Sequence, residues 1–350
     1  MKLLCVGDTA FTKDNYLEWN WLPPNGLIPG DEEKILLNWE LPIGDELHPI
    51  PRLHGPRLLS NPDSPSVIRK WAPGFVALAT NHILDAGENG LSNTITALQH
   101  EGFITLGAGM NQDEITQPVI WEETDGKLAI LNWVFPETDP DLNCVPGPNY
   151  WPGIERAKQY IRDLREKVDW VMVFAHWSDE LFSYPRPEDR IIARELVDAG
   201  IDIFVGHHPH VVRGMEMINS CPVFYSLGNY YFCSNSPRWD GKMAPRNRES
   251  LGIQIILKQG LKPKYEMCSF WQVDHRVIID PKQRAIRRMD YASRPLNLFS
   301  GKEYEDWYLT KRKHFDKVWI RWHFGFRRLG IWGSIKRTFQ VLYRALRKGY

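Results

Sequence analysis

Three histidines fill four positions in VGHHPH (205–210), in a chain that has only eleven. Histidine is the commonest nitrogen donor to metal ions, and Pro209 stiffens the backbone between His208 and His210. The plain alternative is an exposed loop that happens to be His-rich, so other residues must decide. The segment follows IDIFV (201–205), an apolar run that reads as a buried strand. Other polar residues stand in the same relation to such runs. Asp8 follows LLCV (3–6), and Glu40 follows ILLN (35–38). Asn81, His82 and Asp85 follow FVALA (75–79), and His176 follows VDWVMVFA (168–175). Taken singly, Asp8 caps a turn, Asn81 holds a left-handed turn and His176 sits satisfied in a core. Recurrence at five strand ends is harder to assign to structure alone. Two carboxylates, one amide oxygen and three imidazoles suit a borderline divalent cation such as Mn²⁺, Fe²⁺ or Zn²⁺.

The elements that must position these groups are short apolar runs bounded by turn signals, as buried strands read; LAILNWV (128–134) and PVFYSL (222–227) complete the set. Helical patterns cover 88–101, 153–167 and 187–199; Pro152 and Pro187 can open the last two, and Gly200 follows the third. Strand and helix alternate, which predicts a layered α/β domain over 1–260. Periodicity alone suggests a simple doubly wound sheet. In open α/β folds ligands bind beyond the carboxyl ends of the strands, so the polar residues above would converge on one crevice. Residues 230–250 read as a long loop, 261–300 as a connecting segment and 301–350 as a separate tail.

Composition bounds the reading further. With 350 residues, 43% hydrophobic and 25% charged, the chain is an ordinary globular protein. Net charge is zero but uneven: residues 301–350 hold 13 basic against 4 acidic side chains. Such asymmetry predicts an anionic partner for the tail. In 334–348, Ile335, Phe339, Leu342 and Leu346 share a helical face opposite Lys336, Arg337, Arg344, Arg347 and Lys348, the pattern of an in-plane membrane helix. Docking of the tail on the acidic remainder is the alternative, and no recognised nucleic-acid module surrounds its aromatics. Five scattered cysteines without a CxxC pair argue against a disulfide scaffold and a zinc ribbon. The apolar run at 3–6 is too short for a signal-peptide core and no stretch reaches a membrane span, so the expected location is cytoplasmic, with peripheral membrane contact through the tail.

The motifs GD (7–8), N-x-E (38–40), NHxxDxG (81–87), HW (176–177), GHHPH (206–210) and YSLGN (225–229) occur in the order found in CapA-type capsule and poly-γ-glutamate synthesis proteins, which this chain resembles over residues 3–232. That family belongs to the calcineurin-like metallophosphoesterase superfamily. The resemblance implies an α/β fold in which a β-sandwich of two mixed sheets is flanked by helices. It implies two divalent metal ions, one bound by Asp8 and His210, the other by Asn81, His176 and His208, with Glu40 bridging. His82 resembles the histidine that protonates the leaving group, and Asp85 is placed to orient it. His207 receives no role. Two departures stand out. Superfamily members carry a histidine two residues after the first aspartate, where this chain has Ala10. The family's HWGxE reads HWSDE, with Ser178 in place of glycine and Glu180 kept.

The function so implied is metal-dependent hydrolysis, of a phosphoester or an anionic polymer, in the making of a capsule or polyglutamate. Glu180, Asn229, Arg57, Arg186 and Arg213 are candidates for substrate contact, the arginines because bidentate guanidinium contacts grip anions. The rival is a non-enzymatic assembly factor for a membrane polymer synthase, with a vestigial metal site. Ala10 favours the rival; the His82–Asp85 pair favours the enzyme.

Overall fold

The computed structural model describes residues 1–12, 33–49, 55–69, 74–141, 144–233, 245–273 and 276–323. The tail helix expected at 334–348 lies outside the described residues. The chain divides into two compact units, Met1–Leu298 and Phe299–Tyr350.

The continuous apolar runs of the first unit become parallel strands buried on both faces. β1 (Lys2–Phe11), β2 (Glu33–Trp39), β3 (Gly74–Ala77) and β4 (Ile104–Leu106) lie side by side, all parallel. A short antiparallel pair, β5 (Ala108–Gly109) and β8 (Gly147–Pro148), stands apart. β6 (Val119–Glu123), β7 (Gly126–Val134), β9 (Trp170–His176), β10 (Ile203–His207), β11 (Met215–Ile218) and β12 (Cys221–Phe224) form a second sheet in the order β11-β12-β10-β9-β7-β6. Its four central strands are parallel and its two edges antiparallel. β13 (Asn229–Cys233), β14 (Glu249–Ile256), β15 (Lys264–Val273) and β16 (Arg276–Ile279) then return to the first sheet, which among the described residues has eight strands. β14 pairs antiparallel with the first half of β1, and β13 pairs parallel with its second half.

The two inner faces share one core. Leu3, Cys5, Leu36, Phe75 and Ile253 of the first sheet pack with Leu128, Ile130, Met172, Phe174 and Val205 of the second. Each fully buried side chain of this kind contributes about 1.5–3 kcal/mol. Helices cover the outer faces. α1 (Ser64–Ile68) and α2 (Gly87–His100) place Ile68, Leu91 and Leu98 against the alternate residues Leu4, Val6, Ile35, Leu37 and Val76. α3 (Gln112–Thr116) is a single turn capped by Asn111. α4 (Ile154–Arg165) packs on β9 and on α5 (Pro187–Ala199), which ends at Gly200 in the left-handed region. The architecture is thus the sandwich of two mixed sheets with flanking helices, not a doubly wound sheet.

Two boundaries differ from expectation. Residues 230–233, expected in a long loop, belong to β13. The expected connecting segment is integral to the first unit: β15 and β16 extend the first sheet, and α6 (Arg284–Leu298) packs on β15 and β11. In the second unit, α7 (Gly301–His323) carries internal ion pairs, Lys302 with Glu305 and Asp306, and Arg312 with Asp316. No described helix is long and apolar enough to cross a membrane. Cys5, Cys144, Cys221 and Cys268 are free thiols.

Candidate metal centre

Parallel strands end on a common edge, and the polar residues that end them meet there. The first sheet supplies carboxylates and amides. Asp8 sits at an irregularity in β1, in register with Asn38 on β2 and Asn229 on β13. Its place depends on Gly7, whose added Cβ would stand 2.0 Å from the Gly228 carbonyl oxygen. That close approach lets the Asp8 N–H donate to the Gly228 carbonyl at 2.8 Å. Gly228 itself has φ +74°, which explains the glycine in YSLGN. Asn38 donates from Nδ2 to Asp8 Oδ1 at 3.0 Å. Glu40 follows β2, fully buried.

The second sheet supplies imidazoles. His176 ends β9 in register with His207, which ends β10. His208 and His210 follow on either side of Pro209, both with positive φ, +92° and +57°. Non-glycine residues held there cost about 1–3 kcal/mol each, and such strain concentrates at functional sites.

The donor atoms form two adjoining groups. In one, His176 Nε2 lies 3.0 Å from Asn81 Oδ1 and 3.1 Å from His208 Nδ1. Asn81 donates from Nδ2 to the Thr138 carbonyl, which turns its oxygen toward His176. Burial holds His176 and His208 well below the ordinary histidine pKa; Asp8 partly opposes this, and the neighbouring histidines reinforce it. Both imidazoles are therefore neutral, the form that ligates metals. In the other group, His210 Nδ1 lies 2.9 Å from Asn229 Oδ1, 3.3 Å from Asp8 Oδ2 and 3.7 Å from Glu40 Oε1. Burial alone would depress the His210 pKa, but Glu40, Asp8 and Glu180 outweigh it and push it up to about 10. Burial likewise opposes ionisation of Asp8, yet His207 and His210 hold its carboxyl far below the usual range. Asp8, Glu40 and His210 bring one donor atom each within 4.8 Å of one another, and so do Glu180, His208 and His210.

Beside these groups, His82 Nδ1 stands 2.5 Å from Asp85 Oδ2. Asp85 is fully buried and accepts from the Leu58 N–H at 2.8 Å and from Arg57 Nη1 at 3.2 Å. Asp85 faces Nδ1 of the ring and so sets which way the imidazole points. The His82 side chain remains 13% exposed.

The structure thus gathers Asp8, Glu40, Asn81, His82, Asp85, His176, Glu180, His208, His210 and Asn229. It does not present the three arginines to that crevice as free anion grips. Arg57 makes a bidentate pair with Asp141 at 2.8 and 3.1 Å besides its bond to Asp85. Arg186, at the N-cap of α5, donates from its backbone N–H to Asp189 Oδ2 at 2.8 Å and from Nε to Asp189 Oδ1 at 2.9 Å, and also bonds Glu137. Arg213 is buried and spends its donors on the Phe182 carbonyl, Ser178 Oγ and the Asp179 carbonyl. All three organise loops because buried guanidinium groups need carboxylate or carbonyl partners. Sequence reasoning missed two residues. His207 is fully buried with Nδ1 2.9 Å from Asp8 Oδ1, and Asn38 bridges Asp8 toward His176 Nδ1. Asn38 was findable: it lies two residues before Glu40, on the same face of its strand.

Carboxylates from one sheet and imidazoles from another, meeting at the ends of parallel strands, define a layered α/β protein with a candidate metal centre. Residues 31–234 match the family model described as bacterial capsule synthesis protein PGA_cap, and the chain belongs to that family. It is 29% identical over 216 residues to the PGA biosynthesis protein CapA of Bacillus subtilis, covering 60% of this chain and 54% of that protein. It is 32% identical over 174 residues to the capsule biosynthesis protein CapA of Bacillus anthracis, covering 45% and 40%. The chain therefore spans about half the length of the curated relatives it matches. Among solved structures, a phosphatase from Mycoplasma pneumoniae superposes with TM-score 0.43 at 12% identity, covering 81% of this chain and 95% of that one.

Proposed function

We propose that the chain is a divalent-metal-dependent hydrolase, of phosphoester type, that serves the synthesis of a capsule or polyglutamate polymer. The observation that carries this reading is the His82–Asp85 pair beside the two donor groups. A purely structural metal needs ligands, but it has no use for an imidazole oriented by a buried carboxylate beside them. The donor set itself fits borderline divalent cations: neutral imidazoles converge with an amide oxygen, and two buried carboxylates lie alongside. Asn81, His176 and His208 would hold one ion, Asp8 and His210 the other, with Glu40 between them. Bound there, such ions polarise an ester oxygen and activate water.

The chain's own residues do the rest. Asp85, itself held by Arg57 and the Leu58 amide, orients His82 through Nδ1, and His82, when protonated on both ring nitrogens, gives its Nε2 proton to the leaving oxygen. Proton transfer of this kind is worth about 10²–10⁴-fold in rate. Asn38 and His207 both hold Oδ1 of the Asp8 carboxylate in place. The family's description and the relatives' names support a part in capsule or PGA synthesis; the substrate in this reading is an anionic polymer or phosphoester, and the partner a membrane polymer synthase.

One observation favours a second reading: Ala10, buried two residues after Asp8, offers no donor where the superfamily has an imidazole. On that reading the chain is an accessory assembly factor without turnover. Phosphomonoesters, phosphodiesters and γ-glutamyl amides assayed with Mn²⁺ separate the two. The hydrolase reading expects phosphoester turnover that chelation abolishes. A metal-loaded chain that turns over none of them would leave the assembly factor.

A further inference from the structure

The loop that follows β9 carries a carboxylate that the roles above do not use. Glu180 is exposed and forms no hydrogen bond or ion pair among the described residues. Its carboxylate and ring nitrogens of His208 and His210 nevertheless lie within 4.8 Å of one another. The backbone on both sides of it is secured. Ser178 and Leu181 adopt φ of +71° and +63°, a conformation that costs most side chains about 1–2 kcal/mol. Ser178 is held there by its Oγ, which meets Asp189 and Arg213, and by its N–H, which donates to Glu137 Oε1 at 2.9 Å.

The same loop is fastened to the segment that bears the histidines. The Trp177 N–H donates to the His207 carbonyl at 3.0 Å and the Leu181 N–H to the Pro209 carbonyl at 2.8 Å. Arg213 reaches back to the carbonyls of Asp179 and Phe182 at 2.6 and 2.9 Å. Glu180 is thus bracketed by four bonds to residues 207–213, so it stays beside His208 and His210 whatever the outer loop does. An exposed acid with no task in solvation needs no such scaffold.

We propose that Glu180 is a further ligand of the divalent-cation centre, on its solvent side where His208 of one ion site meets His210 of the other. It adds a hard oxygen to imidazole nitrogens, a mixture suited to Mn²⁺, Fe²⁺ or Zn²⁺. The inference rests on the metal reading above.

The test is calorimetric titration of the full chain with Mn²⁺, together with absorption spectra of the Co²⁺-loaded form, in Glu180→Gln, Glu180→Asp and a Glu188→Gln control on the exposed start of α5. Glu180→Gln is expected to weaken one class of site by about tenfold or more, with a changed Co²⁺ spectrum and unchanged melting of the metal-free chain. Glu180→Asp should fall between, and Glu188→Gln should match the parent. Parent-like affinity and spectrum in Glu180→Gln would overturn the assignment while leaving the metal reading standing. A parent chain that binds no cation would instead remove the metal reading, and this inference with it.

Discussion

The two sheets bring different chemistry to the same crevice. The eight-stranded sheet contributes charge and amides: Asp8, Asn38, Glu40, Asn81 and Asn229. The six-stranded sheet and its loops contribute imidazoles: His176, His207, His208 and His210. Asp8, Glu40 and His210 draw on both halves, and the carboxylate side is stabilised by a proton on the imidazole side, since Asp8 and Glu40 push the His210 pKa up. The contrast teaches that the site is also a seam. Ligation there is coupled to the packing of one sheet on the other, as metal binding generally is coupled to folding.

Breaking the carboxylate side should cost most. Asp8→Ala strips His207, His210 and the His208 N–H of a shared partner in a fully buried place. A loss of about 3–5 kcal/mol is expected in denaturant unfolding of the metal-free chain, with cation binding lost as well. Next comes the group that touches neither cation in this account. His82→Asn should keep the metals and lose about 10²–10⁴-fold in turnover; parent-like kinetics on an authentic substrate would remove its role as acid. Chelation follows: at a free cation concentration 100-fold above Kd, its removal should lower stability by about 2.7 kcal/mol for each occupied site, seen as a fall in Tm.

A substitution on the imidazole side sharpens the contrast. His208→Asn should abolish one site yet cost the metal-free fold only about 1 kcal/mol, because a neutral ring leaves no charge behind. The smallest effect is in pH. In the metal-free chain, His210 (pKa about 10 against 6.5) adds stability that is full below pH 6.5 and disappears as pH rises toward 10. His176 and His208, depressed below 6.5, act oppositely: their unfolded forms take up protons that the folded chain refuses, so stability falls on acidification below 6.5. Asp8 adds a further loss only at strong acidity. These groups together predict a maximum near pH 6.5, measurable by urea unfolding in the presence of chelator, and a shift of that maximum to higher pH once cation is bound.

What the sequence made legible follows from burial. Parallel strands covered on both faces are continuous apolar runs, so β1, β2, β3, β9 and β10 and the polar residues that end them could be read directly. β15, KYEMCSFWQV, is half-buried or exposed apart from Ser269, Phe270 and Gln272, and lies toward an antiparallel edge, so the same criterion passed over it and made 261–300 a connector. The arginines were misjudged for a different reason. Arg57 finds Asp141 across 84 residues and Arg213 finds Ser178 across 35, and neither spacing leaves a local signature. His207 escaped because its neighbours His208 and His210 accounted for the motif. Its bond to Asp8 spans 199 residues and exists only when the two sheets close on each other.

The central claim is that two sheets meet to hold divalent cations beside an oriented His82. The most direct measurement is the metal content of the folded full chain after Mn²⁺ reconstitution and desalting, by elemental analysis. The account predicts close to two equivalents per chain, the one at Asp8 and His210 lost first on dilution or mild acidification. A folded chain that retains no Mn²⁺, and none of Fe²⁺ or Zn²⁺ under the same treatment, would contradict it.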